Sequence, residues 1–130
     1  MIVALDHVQV AAPEGCEDEA RAFYGGLLGL PEIEKPEALA RRGGVWFRVG
    51  DEQLHVGVTP EFVASAKAHP AFRVLSAGEL EQLAARLEAH GVAVMRPDSA
   101  EIPGTARIFV FDPWGNRVEL VARDPHGVFI

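Results

Sequence analysis

Four side chains in this chain could act together on a metal ion: His7, His55, His69 and Glu119. Their spacing repeats. His7 and His69 are offset by 62 residues, as are Gly29 and Gly91, while His55 and Glu119 are offset by 64, as are Phe47 and Phe111. Two donor positions in one half of the chain therefore recur in the other. Three imidazoles and a carboxylate suit a divalent transition metal: Zn, Ni, Mn, Fe or Co. His7, His69 and Glu119 alone would make a two-His, one-carboxylate face with positions open to substrate, and His55 would add a fourth ligand. Such a centre keeps positive charge and favours an anionic substrate oxygen, for which the metal serves as Lewis acid. If His55 does not ligate, it is the best general acid or base, because its free pKa lies near neutrality. If it does ligate, Glu119 could dissociate and act as base. A lone strand histidine is more often a half-buried packing residue; four such groups at repeat-equivalent positions carry the metal reading. His90 and His126 fall at a helix end and in the C-terminal tail, where solvated histidines are ordinary.

Strand parity extends the site. Gln9, Phe47 and Phe109 share parity with the donors and are expected to line a pocket. Arg73 and Arg107 are candidates to hold an anionic substrate tail, although charged residues are common on outward strand positions. Trp46 and Arg48 have the opposite parity to Phe47 and stay unassigned. Tyr24 reads as a packing residue.

The elements that must position these groups come in two sets. The first run, Val3 to Val10, and its counterpart, His69 to Leu75, are β-rich. A helix follows in each half, Glu17 to Leu28 and Gly78 to His90, with apolar residues at three- and four-residue spacing. Gly29 and Gly91 stand where a left-handed helix cap belongs. Three strands follow: Glu37 to Arg41, Val45 to Val49 and Gln53 to Val58 in the first half, then Val92 to Arg96, Ala106 to Phe111 and Asn116 to Ala122 in the second. Gly50-Asp51-Glu52 and the segment from Asp112 to Asn116 supply the turns. The order is βαβββ, twice. The expected architecture is α+β: modules 1–58 and 68–122 in a single domain 1–130, forming a curved, half-open barrel sheet with helices outside. Residues 59–67 link the modules and could form a helical turn, 96–105 read as a mobile loop, and 123–130 as a tail.

The motifs resemble a known family. Leu5-Asp6-His7-Val8, Ala22-Phe23-Tyr24, Leu27-Leu28-Gly29-Leu30, Leu87 to Val92 and Phe111 to Leu120 are similar to the vicinal oxygen chelate superfamily, which includes glyoxalase I, fosfomycin-resistance thiol transferases, extradiol dioxygenases and bleomycin-resistance proteins. The resemblance spans Leu5 to Ala122. It implies paired βαβββ modules, a metal held by His7, His55, His69 and Glu119, and a homodimer with the site at or near the interface. Glyoxalase I enzymes usually place a carboxylate where His55 stands, so the implied reaction is glyoxalase-like rather than that of glyoxalase I. Fosfomycin transferases share a His, His, Glu triad but tend to carry other residues where Gln9 and Phe109 stand. Bleomycin-resistance proteins lack metal ligands.

Composition narrows the classes. The chain has 130 residues, 48% of them hydrophobic and 24% charged, with a net charge of −7. That balance is globular and can bury about two-thirds of the unfolded surface without a stabilising metal. The acidic surface repels phosphate backbones, so nucleic acid is not an expected partner. No apolar run suits a membrane span, and no cleavable leader is apparent, so the cytoplasm is the default location. Cys16 is the single cysteine and admits no internal disulfide. Two classes remain: a metal-dependent isomerase, lyase, thiol transferase or dioxygenase acting on a small molecule, and a protein that sequesters a small molecule or drug without catalysis.

Overall fold

The structure is a computed structural model that describes residues 1–99 and 101–123. The tail assigned to 123–130, with His126, lies outside the described residues except for Arg123. The chain is α+β, and its described residues divide into two compact units, 1–64 with 113–116, and 65–112 with 117–123.

In the first unit β1 (His7–Ala12) leads to α1 (Glu17–Ala20), which runs on into a π-helical segment (Arg21–Leu27). Then come β2 (Glu32–Ile33), α2 (Glu37–Ala40), β3 (Val45–Val49) and β4 (Glu52–Val58). The sheet order is β1-β4-β3-β2, with β1 and β4 parallel and the other pairs antiparallel. In the second unit β5 (Ala71–Val74), α3 (Ala77–Ala89), β6 (Thr105–Phe111) and β7 (Arg117–Arg123) give a sheet ordered β5-β7-β6. The repeat is present in the register itself. Gln9 lies opposite His55 on a parallel pair, and Ala71 lies opposite Glu119 on the equivalent parallel pair.

Each sheet buries one face under its helix. Val10, Ala12, Val45, Phe47, Leu54 and Val56 form the core of the first unit with Ala20, Phe23 and Tyr24. In the second, Leu80, Ala84 and Leu87, spaced as one helical face, pack on β5, β6 and β7, where Ile108, Val110, Val118 and Leu120 are buried. Each fully buried side chain of this size stabilises by about 1.5–3 kcal/mol. The donor residues stand on the opposite faces.

Several expectations need correction. Glu37 to Arg41 is helical: Pro36 enters in an extended conformation, and the following Glu, Ala, Leu and Ala all favour helix. The missing strand is the two-residue β2 after Pro31, too short to show a period. Val92 to Arg96 makes only a single bridge, Met95 to Phe109. Residues 59–67 form turns and bends without a helix. The first strand starts at His7 rather than Val3, and His69 stands two residues before β5. Proline at 70 has no N–H to donate, but its carbonyl accepts from the Glu119 N–H at 3.0 Å. The predicted helix from Glu17 is only four residues of α before its turns widen. Leu28 N–H donates to the Phe23 carbonyl and Leu30 N–H to that of Tyr24, so Tyr24, rather than Leu27, joins Ala20 and Phe23 in full burial. Gly29 and Gly91 have positive φ at the helix ends, as expected.

Two groups at the start of α1 titrate abnormally. Burial, with Glu17 second, pushes the Cys16 thiol up to about 11, so at neutral pH it is protonated and a poor nucleophile. The Gly44 N–H donates to Glu17 Oε2 at 2.7 Å and holds that carboxyl below its ordinary range. A carboxyl with a depressed folded pKa stabilises the fold above its unfolded pKa, and the contribution is lost as pH falls through the folded value. Urea denaturation of the wild type should therefore show stability falling below the ordinary glutamate range, with a shallower fall in Glu17→Gln. Parallel pH profiles would remove Glu17 from the account.

Candidate functional site

On the first unit's open face, β1, β4 and β3 bring His7, His55 and Trp46 into one stack. The His7 and His55 rings lie 4.2 Å apart and 17° from parallel, and His55 and Trp46 lie 3.7 Å apart and 2° from parallel. His7 Nδ1 is 2.8 Å from Asp6 Oδ2, and among the described residues Nε2 has no hydrogen bond. His55 is buried, and its Nε2 is 2.8 Å from Gln53 Oε1. Burial first, and the neighbouring His7 second, hold its pKa below the ordinary histidine value, so the ring is neutral at neutral pH. Gln9 lies on the same face with its amide across Gly57: a Cβ there would stand 2.8 Å from Gln9 Cδ. Gln9, Lys35, Arg42 and Trp46 border a cavity of about 230 Å³ beside the stack.

On the second unit, His69 Nε2 is 3.0 Å from Glu119 Oε1, while His69 Nδ1 is 2.8 Å from the Lys67 carbonyl. Arg107 donates to Glu101 and stands 3.6 Å from the other Glu119 oxygen. Phe109, opposite Glu119 in register, meets the His69 ring in a T-shaped contact, with centroids 5.6 Å apart. Arg107 and Arg117 lie over that ring, with Cζ 5.3 and 3.9 Å from its centroid. A cavity of about 420 Å³ opens among His69, Arg107, Phe109, Arg117 and Glu119.

The predicted residues thus fall into two pairs of donors, one per unit. Gln9, Arg107 and Phe109 stand beside them. Phe47 does not: it pairs with Leu54, touches Tyr24 at 6.0 Å and is fully buried on the helix side. Trp46, opposite His55, takes the place expected of Phe47. Arg73 is exposed on its sheet and is not among the residues bordering the second unit's cavity. Arg117 was missed, although its parity with Glu119 on β7 was readable.

The donor chemistry fits a divalent metal in a specific way. A metal-ligating histidine commonly gives its second ring nitrogen to a carboxylate or backbone carbonyl, which fixes its tautomer. His7 and His69 are both arranged so. Among the described residues no three His, Cys, Asp or Glu side chains form a metal-holding group.

A family model for the Glyoxalase/Bleomycin resistance protein/Dioxygenase superfamily matches residues 4–120. The chain belongs to that superfamily. A Bacillus anthracis protein described as of the glyoxalase family is 46% identical to this superfamily member, with a TM-score of 0.88 over 95% of this chain and 98% of that one. Lactoylglutathione lyase from Agrobacterium tumefaciens (23% identity, TM-score 0.68, 92% of each chain) shares the fold. So does a mutant of the fosfomycin resistance protein FosX from Listeria monocytogenes, in a structure with Mn(II) and a dihydroxypropylphosphonic acid (20% identity, TM-score 0.78, 98% and 97% of the chains). No curated protein matches the sequence. Among the described residues of this superfamily member, no helix is long and apolar enough to cross a membrane.

Proposed function

We propose that the chain is a metal-dependent enzyme of the vicinal oxygen chelate type, acting on a small, anionic, oxygen-bearing substrate. The observation that carries this reading is the matched placement of His7 and His69: each sets Nδ1 against a carboxylate or carbonyl oxygen, an arrangement that would turn Nε2 to a metal, and His69 Nε2 already faces Glu119 Oε1. The two superfamily structures above, one a lactoylglutathione lyase and one holding Mn(II) and a phosphonic acid, agree with that class of chemistry. His7, His69 and Glu119 would hold the ion, Zn, Ni, Mn, Fe or Co, with the two pairs joined within a chain or across a homodimer. When bound, the metal supplies Lewis-acid stabilisation of charge on a substrate oxygen.

The chain's own residues do the rest. Asp6 and the Lys67 carbonyl orient the two imidazoles. Arg107 steadies Glu119. His55, neutral and held by Gln53 and the stack, serves either as fourth ligand or as the group that moves the proton. His55→Ala separates these roles: lost metal makes it a ligand, and lost turnover with metal retained makes it the acid or base.

Elemental analysis of tag-free protein purified without chelator should give close to one metal per chain, and turnover should fall with its removal. No metal, and no uptake on adding metals back, overturns the enzyme reading. A second reading is sequestration of a small molecule in the cavities of about 230 and 420 Å³ that lie beside the donors. That reading predicts saturable binding that survives a chelator.

A further inference from the structure

Arg117 lies in an unusual position for an arginine. Its Nε is shut off from solvent and has no hydrogen-bond partner among the described residues. The guanidinium lies over the Phe109 ring, with Cζ 3.9 Å from the centroid, and borders the cavity of about 420 Å³. A polar group taken out of water without a partner costs free energy and calls for an explanation.

The neighbouring charges sharpen the point. Arg96 is engaged by Glu81 at 3.0 Å and Glu88 at 3.5 Å. Arg107 is engaged by Glu101 and Glu119, and Glu119 also meets His69. Both carboxylates that border the cavity are therefore committed. Arg117 has no ion pair or hydrogen bond among the described residues. A chain with net charge −7 leaves an arginine unneutralised beside its candidate substrate face. An arginine stacked on an aromatic ring keeps its in-plane N–H donors for a planar or tetrahedral oxyanion.

We propose that Arg117 is the specificity-determining anchor for an oxyanion, a carboxylate or phosphonate, on the substrate, with Phe109 as the platform that holds the guanidinium in place. This rests on the reading of that face as the substrate side. It also shifts the anion-holding role from Arg73, which is exposed, and from Arg107, which is committed to carboxylates.

The test uses metal-stripped protein, so that the probe cannot bind a metal. Inorganic phosphate is titrated while the Arg117 Nε–H resonance, assigned by its disappearance in Arg117→Gln, is followed by NMR. A saturable shift is expected, with phosphate binding about tenfold weaker in Arg117→Gln, the loss of a charge-assisted pair. If that variant does not fold, Arg117→Lys carries the test: its point charge lacks the forked donors and should bind more weakly. An unmoved resonance, or equal phosphate affinity in the variant that folds, overturns the proposal. Metal uptake is measured separately on the same variants and should be unchanged. Protein that takes up no metal yet binds phosphate through Arg117 overturns the metalloenzyme reading and leaves this one standing.

Discussion

His69→Ala and Glu119→Gln should each weaken metal binding by about 100-fold or more, measured by competition with a chromogenic chelator, and should abolish turnover. Loss of even an outer partner of a metal ligand costs 10–100-fold, so loss of a ligand costs at least as much. The two variants differ informatively. His69→Ala removes a donor together with the edge contact to Phe109. Glu119→Gln keeps the volume and a hydrogen-bonding oxygen but removes the charge that His69 and Arg107 share. Asp6→Asn should cost less than either, because the Asp6–His7 contact is exposed and only orients the ring. Equal metal affinity in wild type, His69→Ala and Glu119→Gln would remove the second unit's pair from the metal site. Folding is checked by thermal melting, since Glu119 is buried.

Gly44→Ala should destabilise the chain by more than about 3 kcal/mol. Gly44 has φ +84°, which alone costs a residue with a side chain roughly 1–3 kcal/mol. A Cβ there would also stand 2.1 Å from the Val56 carbonyl oxygen, inside the β3–β4 pairing. That oxygen belongs to backbone and cannot step aside without parting the strands. Gly29→Ala is the control: φ is +75° but no atom lies within 4 Å of the added Cβ. It should cost about 1 kcal/mol. Urea midpoints of the two variants should differ several-fold in their displacement from wild type; similar displacements would show that backbone conformation, not the clash, decides.

Much of this arrangement was legible in the chain. The 62- and 64-residue offsets reappear as equivalent rungs, Gln9 with His55 and Ala71 with Glu119, because each half folds with one strand register. Helix caps at Gly29 and Gly91 were readable because only a left-handed residue ends those turns cleanly. The Phe47 error came from one residue of turn. Reading Gly50-Asp51-Glu52 as the loop sets Phe47 opposite His55, whereas the two-residue turn Gly50-Asp51 pairs Val49 with Glu52 and sets Trp46 there. Strand sides alternate, so a one-residue slip exchanges the faces. The widened helix after Ala20 was not legible, since the sequence shows ordinary amphipathic spacing. Arg117 was overlooked for a different reason: parity places it beside Glu119, but only the structure shows that none of the described residues neutralises it.

The stack of Trp46, His55 and His7 gives the first unit a built-in optical reporter. Indole emission responds to what lies against the ring, and the Trp46–His55 separation of 3.7 Å leaves no room for solvent between them. Any event that pulls the His55 imidazole out of line, or withdraws His7 from its far side, changes what the indole sees. The molecule thus carries a fluorophore one ring away from its own candidate chemistry, and events on that face can be followed in unlabelled protein.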